Sequence, residues 1–185
     1  NTKLLKREEA PKTYPDLLNP KWKGKMVMTG DFGGVVWMGA LLATYGEEFV
    51  IKLANQDFSV HMISARALND MIISGEYAFS PTISDDHVDK SKMEGAPVDW
   101  LPLEPVAANL GQILLPKDSP HPCAALLFID FDLSKEGGEI YKAEGYNSPR
   151  KDVTKLRTYK TYFGFNSTKE VKQTTDLFDK LFLKK

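Results

Sequence analysis

The sequence predicts an α/β protein in which short strands alternate with helices covering both faces of a sheet. Short apolar runs such as KMVMTG at 25–30 and EYAFSP at 76–81 are bounded by turn residues, as strands are. Between them lie longer segments with helical periodicity, caps and stops. The chain has 185 residues, 42% of them hydrophobic, enough to bury a core as one domain or two small ones.

Taken in order, residues 1–5 read as a short strand, and residues 6–25 as loop punctuated by Pro11, Pro15, Pro20 and Gly24. After the strand at 25–30, DFGG at 31–34 leads into a buried helix over 35–46, and helix resumes over 47–55. FSVHMIS at 58–64 is a strand-to-helix approach in which His61 has a structural role. A helix over 64–74 takes Ser64 as N-cap and Gly75 as stop. EYAFSP and VDWLPLEP (98–105) are extended pieces.

A second unit is expected to begin near Leu110, with a strand at 111–115 and a helix opening in KDSPHPCAALLFIDFDLSKEGG at 117–138. Ser119 caps that helix, a proline fits its first turn, and Gly137–Gly138 marks a stop or a break between two short helices. Leu127, Phe128 and Phe131 recur at helical spacing, and Leu126, Ile129 and Leu133 widen the stripe toward burial on more than one side. His121 and Cys123 do not share a helix face, so this segment is scaffold rather than a catalytic pair. EIYKAEGYNSPRKD leads through a turn into more helix. Val171, Thr175, Phe178, Leu181 and Phe182 then stripe a helix over 168–183.

Composition excludes several classes. Lys plus Arg number 24 against 25 Asp plus Glu, so no basic excess points to nucleic acid. The single cysteine rules out an intrachain disulfide framework. The sequence reads as holding no span of about 20 apolar residues and no signal core. No nucleophile with its base and no metal set stands out, so the chain reads as noncatalytic, with no cofactor and no metal.

The best ligand-binding signal is TGDFGG at 29–34, where glycines after a strand let backbone N–H groups converge at a helix start that favours an anion. Thr29, Asp31, Phe32 and Gly33 are the candidates there, against turn formation and packing. Arg66, in the first turn of the 64–74 helix, opposes the helix dipole, which makes a carboxylate or phosphate partner attractive. SPTISDDHVDK at 80–90 follows a strand and reads as a solvated loop that supplies Ser84 and Asp85; it lacks the spacing of a calcium loop. Trp100 offers a flat apolar wall and Glu104 an acceptor for an amine. Asp31, Asp85 and Glu104 suit an amine, whereas Gly33, Gly34 and Arg66 suit an anion, so the residues leave the sign of the solute open.

YPDLLNPKWKGK, ISGEYAF, GAPVDW and KDSPHPCAALLFIDFDLSKEGG, followed by YNSPR, together resemble the C-terminal two-thirds of a bacterial ABC-transporter solute-binding protein of the iron/polyamine-like type. The resemblance covers nearly the whole chain. It implies a type II periplasmic-binding fold of two lobes that close over a solute. Residues 1–109 would form the complete second lobe with an incoming hinge strand, and residues 110–185 the return part of the first lobe. It further implies a small polar solute or oxyanion as ligand, ABC permease membrane subunits as partners, and a periplasmic or extracellular, membrane-associated location. The N-terminal part of the first lobe, like a signal segment, would lie outside this sequence. Iron-binding relatives use adjacent tyrosines after the GEYAF-like strand, where this chain has SPTISDD. A small polar solute is therefore expected ahead of ferric iron or an iron complex, and an enzyme on a related scaffold stands further off.

Overall fold

The computed structural model describes residues 1–108, 112–154 and 158–183. After two 3-10 turns at Tyr14–Leu18 and Pro20–Trp22, its strands and α-helices in chain order are β1 (Val27–Thr29), α1 (Phe32–Ala54), β2 (Ser59–His61), α2 (Ala65–Ser74), α3 (Asp85–Met93), β3 (Val106–Ala107), α4 (Pro122–Asp132), α5 (Lys135–Ala143), β4 (Thr161–Tyr162) and α6 (Thr168–Phe178). A π-helical turn, Asp179–Leu183, follows α6. The chain divides into two compact units, Asn1–Asn109 with Tyr159–Lys185, and Leu110–Thr158.

In the first unit β1 and β2 pair in parallel, Val27 opposite Ser59, Met28 opposite Val60 and Thr29 opposite His61. A parallel bridge joins Met26 to Phe79 on the other side of β1. Parallel neighbours need a crossover, and α1 and then α2 supply it. Side chains on a strand alternate between faces. Met26 and Met28 accordingly enter a core with Trp37, Leu41, Leu53 and Phe178, while Val27 enters a second cluster with Leu68, Ile72, Val88 and Val98. The first face is covered by α1 and α6 and the second by α2 and α3, which is the expected α/β layering. β3 and β4 form a further parallel pair, Val106 opposite Thr161 and Ala107 opposite Tyr162.

Helix termini follow local chemistry. Asp31 accepts from the Gly33 N–H to start α1, Ser64 from Ala67 to start α2, and Ser167 from Glu170 to start α6. Gly75 ends α2 in the left-handed conformation at φ 88°. Gly46 at φ 78° kinks α1, joining the two helices anticipated over 35–46 and 47–55. With 23 residues α1 is also long and apolar enough to cross a membrane, which corrects the reading that no such span exists. Here it is a core helix, with Val35, Trp37, Met38, Leu41, Val50 and Leu53 buried.

Other expectations are corrected. Residues 1–5 are turn, not strand. The Asn1 amide donates to the carbonyls of Ile72 (2.7 Å), which also accepts from the Gly75 N–H, and Ile73 (3.3 Å), tying the N-terminus to the last turn of α2. EYAFSP contributes only the bridge at Phe79, and after the 98–105 segment strand pairing starts at Val106. Residues 159–185, grouped above with the second unit, belong to the first, because Phe178 and Phe182 fill its core.

In the second unit the strand placed at 111–115 falls partly outside the described residues, and 112–115 carry none. α4 starts at Pro122 with His121 at its N-cap, two residues beyond Ser119. The helix break falls at Leu133–Ser134, where Ser134 accepts from Gly137 to cap α5. Gly137 and Gly138 are buried inside α5, since a Cβ at Gly137 would meet the Phe131 carbonyl and one at Gly138 would lie 2.7 Å from Ser148 Oγ. After α5, residues 150–153 make a turn at Val153 rather than more helix.

An ion-pair cluster ties the N-terminal segment to the end of α3 and the segment after it. Asp99 accepts from Lys92 Nζ at 2.8 Å and pairs with Arg7. The Lys92 hydrogen bond, with further attraction from Lys92 and Arg7, holds the Asp99 carboxyl below its usual range. A depressed carboxylate stabilises the fold above its unfolded-state pKa, and that contribution is lost as pH falls through the folded-state value. Asp99→Asn is expected to lower stability at pH 7 by only about 0.5 kcal/mol, because the pair is solvent-screened. Urea midpoints of both proteins should converge in acid; a gap that persists at low pH would contradict this.

Candidate functional site

Parallel strands leave their carboxyl ends on one edge, where helices begin and ligands bind in open α/β sheets. In this chain that edge gathers Thr29, the end of β2 at His61, the residues after Phe79, and the starts of α1, α2 and α3. Its centre is a hydroxyl network. The Thr29 N–H donates to Thr82 Oγ1 at 3.1 Å, Thr29 Oγ1 lies 3.5 Å from Thr82 Oγ1, and Ser80 Oγ lies 3.3 Å from Thr82 Oγ1. Thr29 is only 1% exposed, so it anchors the half-buried Thr82 and Ser80.

The glycines do not form the anion cradle that TGDFGG suggested. Gly30 N–H is bound to the His61 carbonyl at 2.8 Å, Gly33 N–H to Asp31 Oδ1 at 2.9 Å and Gly34 N–H to the Asp31 carbonyl at 3.1 Å. Asp31 thus supplies the negative charge that the α1 dipole attracts. The first turn of α3 carries Asp85 and Asp86, with Asp85 Oδ1 accepting from the Asp86 N–H and Asp86 lying 3.7 Å from His87 Nδ1. Carboxylates at both helix starts disfavour a second anion there. At the same edge Phe32 is 59% exposed and stacks obliquely on Phe165.

The other candidates separate. Ser84 is the exposed N-cap of α3, a helix that the loop reading missed although Ser84, two acids in the first turn and Lys90 and Lys92 in the last turn announce one. Trp100 donates its indole N–H to the Ile83 carbonyl at 3.3 Å and packs on Tyr159, which sets it beside the hydroxyl network. Glu104 is exposed and is positioned by its neighbour Pro105, whose carbonyl accepts from the buried Tyr14 hydroxyl. Arg66 lines a groove between α2 and α3 with Asn69 and Asp70. Thr82 and Ser80 were visible in the sequence only as hydroxyls in a supposed loop. Their signal was position, directly after a strand. His61 is structural in geometry, its Nε2 lying 3.2 Å from the Tyr77 hydroxyl. Among the described residues no three of His, Cys, Asp and Glu converge as metal ligands do.

A family model described as bacterial extracellular solute-binding protein matches residues 1–166. No curated protein and no solved structure matches the chain.

Proposed function

The chain belongs to the bacterial extracellular solute-binding proteins, a transport family that is generally noncatalytic, and on that footing we propose that the strand-end edge of its first unit is one wall of a solute-binding cleft. The single observation that carries this is the Thr29–Thr82–Ser80 hydroxyl network beside the starts of α1 and α3. Hydroxyls that donate and accept, flanked by Asp31, Asp85 and the exposed ring of Phe32, suit a small polar solute rich in O–H or N–H donors. With the starts of α1 and α3 already occupied by carboxylates, such a solute fits better there than an oxyanion. Tyr77 is engaged with His61, which favours the same solute class over ferric iron.

In this reading residues 1–109 are the second lobe of a type II periplasmic-binding fold, and the Leu110–Thr158 unit is part of the first. Closure of the lobes over the solute shifts an existing open–closed equilibrium, and the closed form delivers its cargo to an ABC permease at the membrane. The protein performs no chemistry on the solute.

Calorimetry with sugars, polyamines, carboxylates, phosphonates and ferric complexes tests this. One donor-rich solute class is expected to bind, and Thr82→Val to weaken it by about tenfold, the worth of a hydrogen bond in a desolvated site. Conversion of the bound solute, or tight binding of bare ferric ion with tyrosinate absorption, would overturn the assignment.

A further inference from the structure

The groove between α2 and α3 takes no part in the hydroxyl network, although one end of it lies at the same strand-end edge. Both helices follow strands that run parallel to β1, so their N-terminal turns lie at the same edge and their axes run the same way. The groove has a volume of about 340 Å³, inside the range of about 300–1,000 Å³ typical of small-ligand sites. Arg66 and His87 line it from the first turns of the two helices, and Glu94 and Gly95 from the far end of α3.

At its middle is a side chain that folding alone does not satisfy. Asn69 is 2% exposed; its Nδ2 donates to Ser91 Oγ at 2.8 Å, while its Oδ1 is buried without a hydrogen-bond partner. Buried acceptors are nearly always paired, so a donor belongs there. The charges around it are also unspent. Arg66 and Asp70 stand four residues apart on one face of α2, yet neither they nor Glu94 make an ion pair among the described residues. The exposed Arg66 guanidinium in the first turn of α2, Asp70 one turn on, Glu94 at the far end of α3 and the orphaned Asn69 amide oxygen thus line one groove of mixed charge.

We propose that this groove binds a small zwitterion of the α-amino acid class. Its carboxylate pairs with the Arg66 guanidinium, and its ammonium donates to Asn69 Oδ1 and Asp70. Ile73 and Ala96, which also line the groove, accept a short apolar side chain. The proposed site is distinct from the hydroxyl network, to which none of these residues belongs.

The test is an NMR titration of the full chain with glycine, L-alanine and L-serine, reading the Asn69 side-chain amide and the backbone amides of α2 and α3, with acetate and ethylamine as single-charge controls. Saturable shifts are expected with the zwitterions, and binding about tenfold weaker for either control. Arg66→Gln and Asp70→Asn, both at exposed positions that leave the core intact, should each weaken glycine binding by about the same factor. Absence of saturable shifts at Asn69 would overturn the proposal, as would equal binding of acetate. Loss of binding in Thr82→Val with retention in Arg66→Gln would place the zwitterion in the cleft and also overturn it.

Discussion

Gly34→Ala should destabilise the protein by about 3 kcal/mol, at the upper end of what overpacking a core costs. Gly34 is buried in the first turn of α1, where a Cβ would run into the Thr29 carbonyl oxygen and lie 2.9 Å from Phe178 Cζ. The carbonyl belongs to β1 and cannot rotate away, and Phe178 is fully buried against Phe182. Relief therefore requires α1 to lift from the strand, which would also disturb the hydroxyl network that begins at Thr29. Phe178→Ala in turn should cost about 3–5 kcal/mol through its cavity. The two changes share a contact, so they should not add: the cavity frees the ring side of Gly34 but not the carbonyl side. Urea unfolding of both single variants and the double variant measures this. A Gly34→Ala protein within about 0.5 kcal/mol of the parent would show that α1 does not press on β1.

That contact also shows what the sequence could reveal. The glycines after KMVMT read as backbone donors for an anion or as turn and packing residues, and the Val171 to Phe182 stripe announced a helical face. Which core received the stripe was not legible, because periodicity marks a face without naming its partner. The C-terminal helix was therefore grouped with the second unit, and only the packing of Phe178 and Phe182 returns it to the first. The candidate site divides in the same way. Thr29, Asp31, Phe32 and Ser84 lie beside strand ends and helix starts, positions that local signals encode. Thr82 matters because a single bridge, Met26 to Phe79, brings its segment alongside β1. One-residue pairings leave almost no periodic trace. Asn69 was hidden differently, since the groove that encloses it is assembled from two helices, one of which read as loop.

The remaining large effect concerns α4, the helix whose sequence demands burial on more than one side. None of its residues is buried: Leu127 is 71% and Phe128 63% exposed, with Leu126 and Phe131 also exposed. A patch of that kind marks a surface meant to be covered. On the proposal that the Leu110–Thr158 unit is part of a first lobe, the cover would be other chain of that lobe. In the present chain Leu127→Glu with Phe128→Glu should change stability by less than about 0.5 kcal/mol, because no core contact is lost, while reducing self-association and binding of apolar dyes. In a protein carrying a complete first lobe, the same pair should cost at least about 4 kcal/mol, the sum of two buried large side chains and two unpaired charges. It should weaken solute binding as well, since a displaced jaw no longer closes. Urea unfolding with sedimentation on both proteins separates the outcomes. A large loss in the present chain would mean that α4 is already covered, and indifference in the longer protein would mean that another partner covers it; either result removes α4 from the lobe.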